Sequence, residues 1–166
     1  MKLQVEQAIK QIGKPFGFSF TVNGVVLDDV NAFPWKDHDV TVKGKYVYDG
    51  CRLIVEGTVE TQGIYACTRC LSAVEQKAYV PFIERYETES HEDDDALVYD
   101  GVTVDLADVA RETLIINEPF QVLCQEDCKG LCPQCGANLN DSPCGCDTFV
   151  TDPRLAVLHT LLKTDD

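Results

Sequence analysis

Between Cys124 and Cys146 the chain reads Cys124-Gln-Glu-Asp-Cys128-Lys-Gly-Leu-Cys132-Pro-Gln-Cys135-Gly-Ala-Asn-Leu-Asn-Asp-Ser-Pro-Cys144-Gly-Cys146, so six of its nine cysteines fall in one short segment. Thiols this dense, spaced by Gly, Pro, Asn and Asp, do not build an apolar core; they converge on a metal ion. A tetrahedral zinc site takes four soft ligands, and Cys-x-x-Cys pairs on tight turns supply two at a time. Cys132-Pro-Gln-Cys135-Gly is the sharpest such pair. Its proline and trailing glycine let the backbone turn so that N–H groups point at the sulfurs and both thiolates face one ion. Cys144 and Cys146 are expected to complete the set, because the loop 136–143 folds back at little closure cost. Cys124 and Cys128 are the alternative pair, or else flank the site without touching the ion. The expected ion is a structural Zn²⁺, although four thiolates also accept iron.

Cys67-Thr-Arg-Cys70 stands apart, at the end of a strand. With the six it makes eight thiols, which is arithmetic for two four-sulfur sites; the plainer reading leaves this pair without metal. Nine is an odd count and argues against a disulfide framework, in keeping with a reducing, cytoplasmic setting. The opening residues lack the apolar core of a signal peptide, and no stretch is long and apolar enough to cross a membrane, so no membrane partner is expected.

Enzymatic readings of the same cysteines fare poorly. Cys128-x-x-x-Cys132-x-x-Cys135 has the spacing of a radical iron–sulfur motif, but that chemistry needs a βα barrel longer than 166 residues allow. A thioredoxin-like centre needs its Cys-x-x-Cys to open a helix, whereas Gly136-Ala-Asn-Leu-Asn-Asp is turn chemistry. His38, His91 and His159 show no spacing to a Ser or Cys that marks a nucleophile and base, and no phosphate-cradling glycine motif occurs. The formal charge of -14 repels phosphate and favours basic partners. Lys129 is the sole base between Arg111 and Arg154, too little for a zinc finger that docks on nucleic acid.

The rest of the chain reads as α+β: an antiparallel sheet with hairpins, one packed helix, the cysteine-rich zinc segment and a C-terminal helix. Residues 1–122 form a β-rich body and residues 123–166 the cysteine-rich segment and last helix. Asn23-Gly24, Asp49-Gly50 and Asp100-Gly101 each divide apolar runs and predict three hairpins. Cys51, Leu53, Val55 and Val59 alternate onto one face, which places Cys51 in the core. The acidic run 87–95 reads as a solvated loop. A helix is expected over 105–117, capped by Asp105, with Leu106, Val109, Ala110 and Leu114 along its apolar stripe and Pro119 ending it. A second is expected from Asp152-Pro153, with Leu155, Leu158 and Leu162 as its stripe.

Taken together, Cys67-Thr-Arg-Cys70-Leu71 after a Gly57-Thr58-Val59 strand, Asp127-Cys128-Lys129-Gly130-Leu131-Cys132-Pro133-x-Cys135-Gly136-x-Asn138-Leu139-Asn140, Cys144-x-Cys146 and Asp152-Pro153-Arg154-Leu155-Ala156-x-Leu158 resemble the YceD family over residues 40–163. The resemblance implies a role in building the large ribosomal subunit, through synthesis, processing or stability of its main RNA, and implies no catalytic activity. Combined with the charge, it yields the expectation of a non-enzymatic accessory factor that holds a basic ribosomal protein or assembly factor, with RNA contact indirect. The alternative is a small cytosolic thiol redox or metal-handling protein.

Overall fold

Alternating burial along the strands organises the computed structural model, which describes residues 1–28, 32–89, 96–147 and 154. The fold is α+β. In chain order the elements are β1 (Lys2–Gln4), α1 (Glu6–Lys10), β2 (Phe16–Asn23), α2 (Gly24–Leu27), β3 (Asp39–Tyr48), β4 (Leu53–Ala66), β5 (Ala73–Glu87), β6 (Leu97–Val98), β7 (Thr103–Asp105) and α3 (Ala107–Ile116). Strands β2 to β6 form one sheet in sequence order, and β1 pairs with β7 in a second, two-stranded one. The pairs β2–β3, β3–β4 and β1–β7 are antiparallel; β5–β6 is parallel.

The chain forms two compact units. The first is Met1–Tyr65 with Ala73–Phe120, and the second is Ala66–Ser72 with Gln121–Asp166. This division departs from an uninterrupted 1–122 body, and it breaks after Phe120. The short connection between β4 and β5 belongs with the cysteine-rich segment, because Cys67 and Cys70 meet Cys124 and Cys128 there.

The core of the first unit comes from one face of its sheet. Val40, Val42 and Tyr46 of β3 and Leu53, Val55 and Val59 of β4 are buried, while their neighbours in sequence are open to solvent or half-buried. That is the period of two expected of a sheet wet on one side. One buried cluster gathers Leu3, Val5, Tyr46, Leu53, Val55, Tyr86 and Val104. A second gathers Trp35, Val40, Val42, Val59, Ala110 and Leu114. Through Ala110 and Leu114, α3 lays its apolar stripe on the sheet, as its spacing predicts. The helix begins at Ala107 rather than Asp105, with Leu106 as N-cap. Asp105 still serves the helix start, since its carboxylate accepts the Ala107 N–H at 3.0 Å.

The three Asx-Gly turns have three different outcomes. Asp49-Gly50 closes a hairpin between β3 and β4: Gly50 has φ +109, and the Asp49 carboxylate accepts the N–H groups of Cys51 and Arg52 at 2.8 and 2.7 Å. Those two bonds hold the Asp49 carboxyl below its usual range. Asp100-Gly101 makes the same turn, with Gly101 at φ +80 and Asp100 accepting from Val102 and Thr103. It is not a hairpin, however. The strand before it pairs with β5 and the strand after it with β1.

Asn23-Gly24 is not a hairpin either. The Asn23 side chain accepts the Val25 N–H at 3.2 Å and caps the short helix α2, so β2 finds its partner β3 only after residues 24–38. Glycine is needed there for space and not for a left-handed turn. A Cβ at Gly24 would sit 2.5 Å from the Trp35 carbonyl oxygen and 2.6 Å from that of Lys36.

Cys51 is a further correction: it is exposed, because β4 starts at Leu53 and Cys51 lies in the turn. Apart from Arg154, the expected C-terminal helix lies outside the described residues, as do residues 90–95 of the acidic run. Among the described residues, no helix is long and apolar enough to cross a membrane.

Gly24→Ala is expected to cost about 1–3 kcal/mol by forcing backbone apart. Gly17→Ala, whose added methyl would meet only the Gly44 carbonyl oxygen at 3.9 Å, should change stability by no more than about 0.5 kcal/mol. Urea denaturation of the two variants checks the contrast.

Candidate metal centres

Eight cysteines gather into two groups of four in the second unit. In each group the four sulfurs all lie within 4.8 Å of one another. The first group is Cys67, Cys70, Cys124 and Cys128; the second is Cys132, Cys135, Cys144 and Cys146. The second group is the set expected from spacing alone. Cys124 and Cys128 are neither the alternative ligands of that group nor thiols flanking it. They group with Cys67 and Cys70, so that pair does not stand apart from the six. Both groups could hold a metal ion. The donor set is all thiol, which suits zinc or iron and disfavours calcium or magnesium.

Each group is seeded by a Cys-x-x-Cys loop of the same backbone design. In Cys132-Pro-Gln-Cys135 the N–H of Gly136 returns to the Cys132 carbonyl at 2.9 Å, and Gly136 takes φ +72. In Cys67-Thr-Arg-Cys70 the N–H of Leu71 returns to the Cys67 carbonyl at 2.9 Å, and Leu71 takes φ +61. Leu71 is the one non-glycine residue at positive φ among the described residues. A Cβ in that conformation crowds the following carbonyl, a strain of about 1–2 kcal/mol. The loop is closed at its base by the Cys67 N–H bonding to the Ser72 carbonyl at 2.8 Å. Sequence reading counted this pair toward a possible second four-sulfur site but did not rank it with the Cys132 knuckle, where a glycine marks the turn that Leu71 makes here.

The remaining ligands come from loops tied to these knuckles. The Arg69 guanidinium donates to the Cys128 carbonyl at 2.9 Å, and the Leu131 N–H donates to the Arg69 carbonyl at 3.1 Å. Gly130, at φ +77, passes close to the same arginine: a Cβ there would meet the Arg69 carbonyl oxygen at 3.0 Å. The Asn138-Leu139-Asn140 insert has a structural use. The Asn140 carbonyl oxygen of the side chain accepts the Lys129 N–H at 2.8 Å, while its amide donates to the Asn138 side-chain oxygen at 2.8 Å and reaches the Cys128 sulfur at 3.4 Å.

The electrostatics of both groups have the same two causes. Hydrogen bonds from loop N–H groups lower one thiol in each group, Ser72 lowers Cys70 as well, and contact with neighbouring sulfurs raises Cys124 and Cys146. N–H donors at Cys70 and Arg69 bring Cys67 down to about 6. Those at Cys135 and Gln134 bring Cys132 down to about 6. Cys124, hydrogen-bonded to Cys70, is pushed up to about 12, and Cys146, beside Cys135, also to about 12. A cation placed among the sulfurs removes this conflict, since it favours the thiolate form of all four.

A model of the family described as large ribosomal RNA subunit accumulation protein YceD matches residues 55–162. An uncharacterized protein of Mycobacterium tuberculosis (strain ATCC 25618 / H37Rv) is 32% identical over 130 residues, covering 75% of this chain and 61% of the relative. An uncharacterized protein of Mycobacterium bovis (strain ATCC BAA-935 / AF2122/97) matches to the same extent. The chain thus spans about three-fifths of the length of these mycobacterial relatives. The uncharacterized protein YlbN of Bacillus subtilis (strain 168) is 28% identical over 170 residues, covering 100% of this chain and 99% of the relative. No solved structure matches.

The shared knuckle design predicts opposite outcomes for two substitutions. Leu71→Gly removes the left-handed strain, and Leu71 is largely exposed, so stability should rise by about 1 kcal/mol. Gly136→Ala introduces the same strain and should lower it by about 1 kcal/mol. Thermal melts of both variants in excess zinc check the pair.

Proposed function

The chain belongs to the YceD family, and from that membership we propose that it is a non-enzymatic accessory factor in the accumulation of large-subunit ribosomal RNA, acting in the cytoplasm. The observation that carries the reading is the family match over residues 55–162, which includes all eight clustered cysteines. In this reading Cys132, Cys135, Cys144 and Cys146 hold a structural Zn²⁺ that fixes the shape of the segment; when bound, the ion supplies cross-linking and no chemistry of its own.

The charge supports an indirect route to RNA. Net charge is -14, and each zinc held by four thiolates adds about -2. Two lysines on the open face of the sheet are already matched: Lys43 with Glu60 at 2.5 Å and Lys45 with Glu56 at 2.7 Å. Such pairs add little stability, but they cancel the local positive potential that phosphate binding needs. The factor therefore binds a basic ribosomal protein or assembly factor, which contacts the RNA.

The thiol redox reading draws on the low positions of Cys67 and Cys132. It calls for a thiol that reacts with alkylating agents in the metal-loaded protein, whereas a zinc-held thiolate is protected.

The test is recovery of tagged protein from a lysate of its host at low and moderate salt, with and without ribonuclease. We expect a basic large-subunit protein or assembly factor that survives ribonuclease and falls off as salt screens the contact. Recovery of bare large-subunit RNA with no protein partner would overturn the indirect route.

A further inference from the structure

We propose that Cys67, Cys70, Cys124 and Cys128 form a second metal site, which takes a thiophilic divalent cation, zinc or ferrous iron, in tetrahedral all-sulfur coordination. The protein then carries two ions per chain. This inference is independent of the ribosomal role.

Distances come first. A tetrahedron with metal–sulfur bonds of about 2.3 Å has sulfur–sulfur edges of about 3.8 Å. Cys67 and Cys128 have their sulfurs 3.8 Å apart, and Cys70 and Cys124 lie at 3.5 Å. These separations are far too long for the ~2.05 Å of a disulfide, and all four thiols are free.

Loop design is a second and separate observation. A packed set of neutral thiols has no use for a strained backbone, yet Leu71 is held at φ +61 in a loop whose hydrogen bond matches that of Cys132-Pro-Gln-Cys135-Gly136. Such strain persists where surrounding structure over-determines it, typically at ligand clamps. Here it lets the loop present two sulfurs on one side.

Burial and hydrogen bonding point the same way. Cys67, Cys70 and Cys128 are buried, whereas the members of the other group other than Cys132 are exposed or half-buried. The Asn140 amide lies 3.4 Å from the Cys128 sulfur and the Ser72 hydroxyl 3.2 Å from that of Cys70. Both are groups that can donate to a metal-bound thiolate, and such outer partners orient ligands and hold the metal. The ligands also come from segments 54 and 61 residues apart along the chain, so an ion here closes a long loop.

The experiment uses the full chain, loaded with excess zinc and desalted. Metal content is measured by mass spectrometry and coordination by absorption at the zinc edge. We expect two zinc ions per chain with an average shell of four sulfurs at about 2.3 Å. Cys67→Ser/Cys70→Ser and Cys132→Ser/Cys135→Ser should each lower the count from two to one. One ion in the unaltered chain overturns the proposal, as does a second ion held through nitrogen or oxygen, or two ions retained by Cys67→Ser/Cys70→Ser. Should either variant fail to fold, the ion count and sulfur shell of the unaltered chain still decide the matter.

Discussion

Four thiol sulfurs packed within 4.8 Å oppose one another's ionisation unless a cation sits among them, and both cysteine groups of the second unit bring sulfurs that close. Its described residues offer little else to hold them. The buried apolar side chains there are Val122 and the cysteines themselves, Cys67, Cys70, Cys128 and Cys132. Small folds with little aliphatic burial rely on metal or disulfide cross-links, which is the kind of support four clustered thiols can give. The hydrogen bonds that tie Arg69 to Cys128 and Leu131, and Asn140 to Lys129 and Cys128, then act as spacers that keep the sulfurs at ligand distance.

The first unit rests on different physics. Val40, Val42, Val55 and Val59 are fully buried across paired strands, and α3 covers part of that face through Ala110 and Leu114. This is area-driven stability, with each fully buried valine contributing about 1.5 kcal/mol or more. A metal held by the two cysteine groups would cross-link the second unit, while the sheet has its own aliphatic core.

For function, the relevant contrast is between an acidic protein and an acidic polymer. The proposed role in large ribosomal RNA accumulation rests on family membership, while the chain's charge disfavours direct contact with RNA. The proposed basic intermediary would reconcile the two. The pairing of Lys43 and Lys45 with glutamates on the sheet fits that arrangement, because it leaves those two bases little field to offer phosphate.

Local chemistry was legible in the residues alone. Cys132-Pro-Gln-Cys135-Gly announced its turn, Asp49-Gly50 its hairpin, and the spacing of Val109, Ala110 and Leu114 its helix face, because each is decided by neighbours a few residues away. Long-range choices were not. Nothing in Cys67-Thr-Arg-Cys70 says that it meets Cys124 and Cys128, since that depends on where the chain returns after a sequence separation of 54 to 61. Likewise Gly24 reads as a turn glycine, and only the approach of the Trp35 and Lys36 carbonyls shows that it is there for room. Sequence by itself determined which residues could ligate and where the backbone could turn. Tertiary structure decided which thiols share a site, because sulfur–sulfur proximity is a property of the folded path and not of spacing.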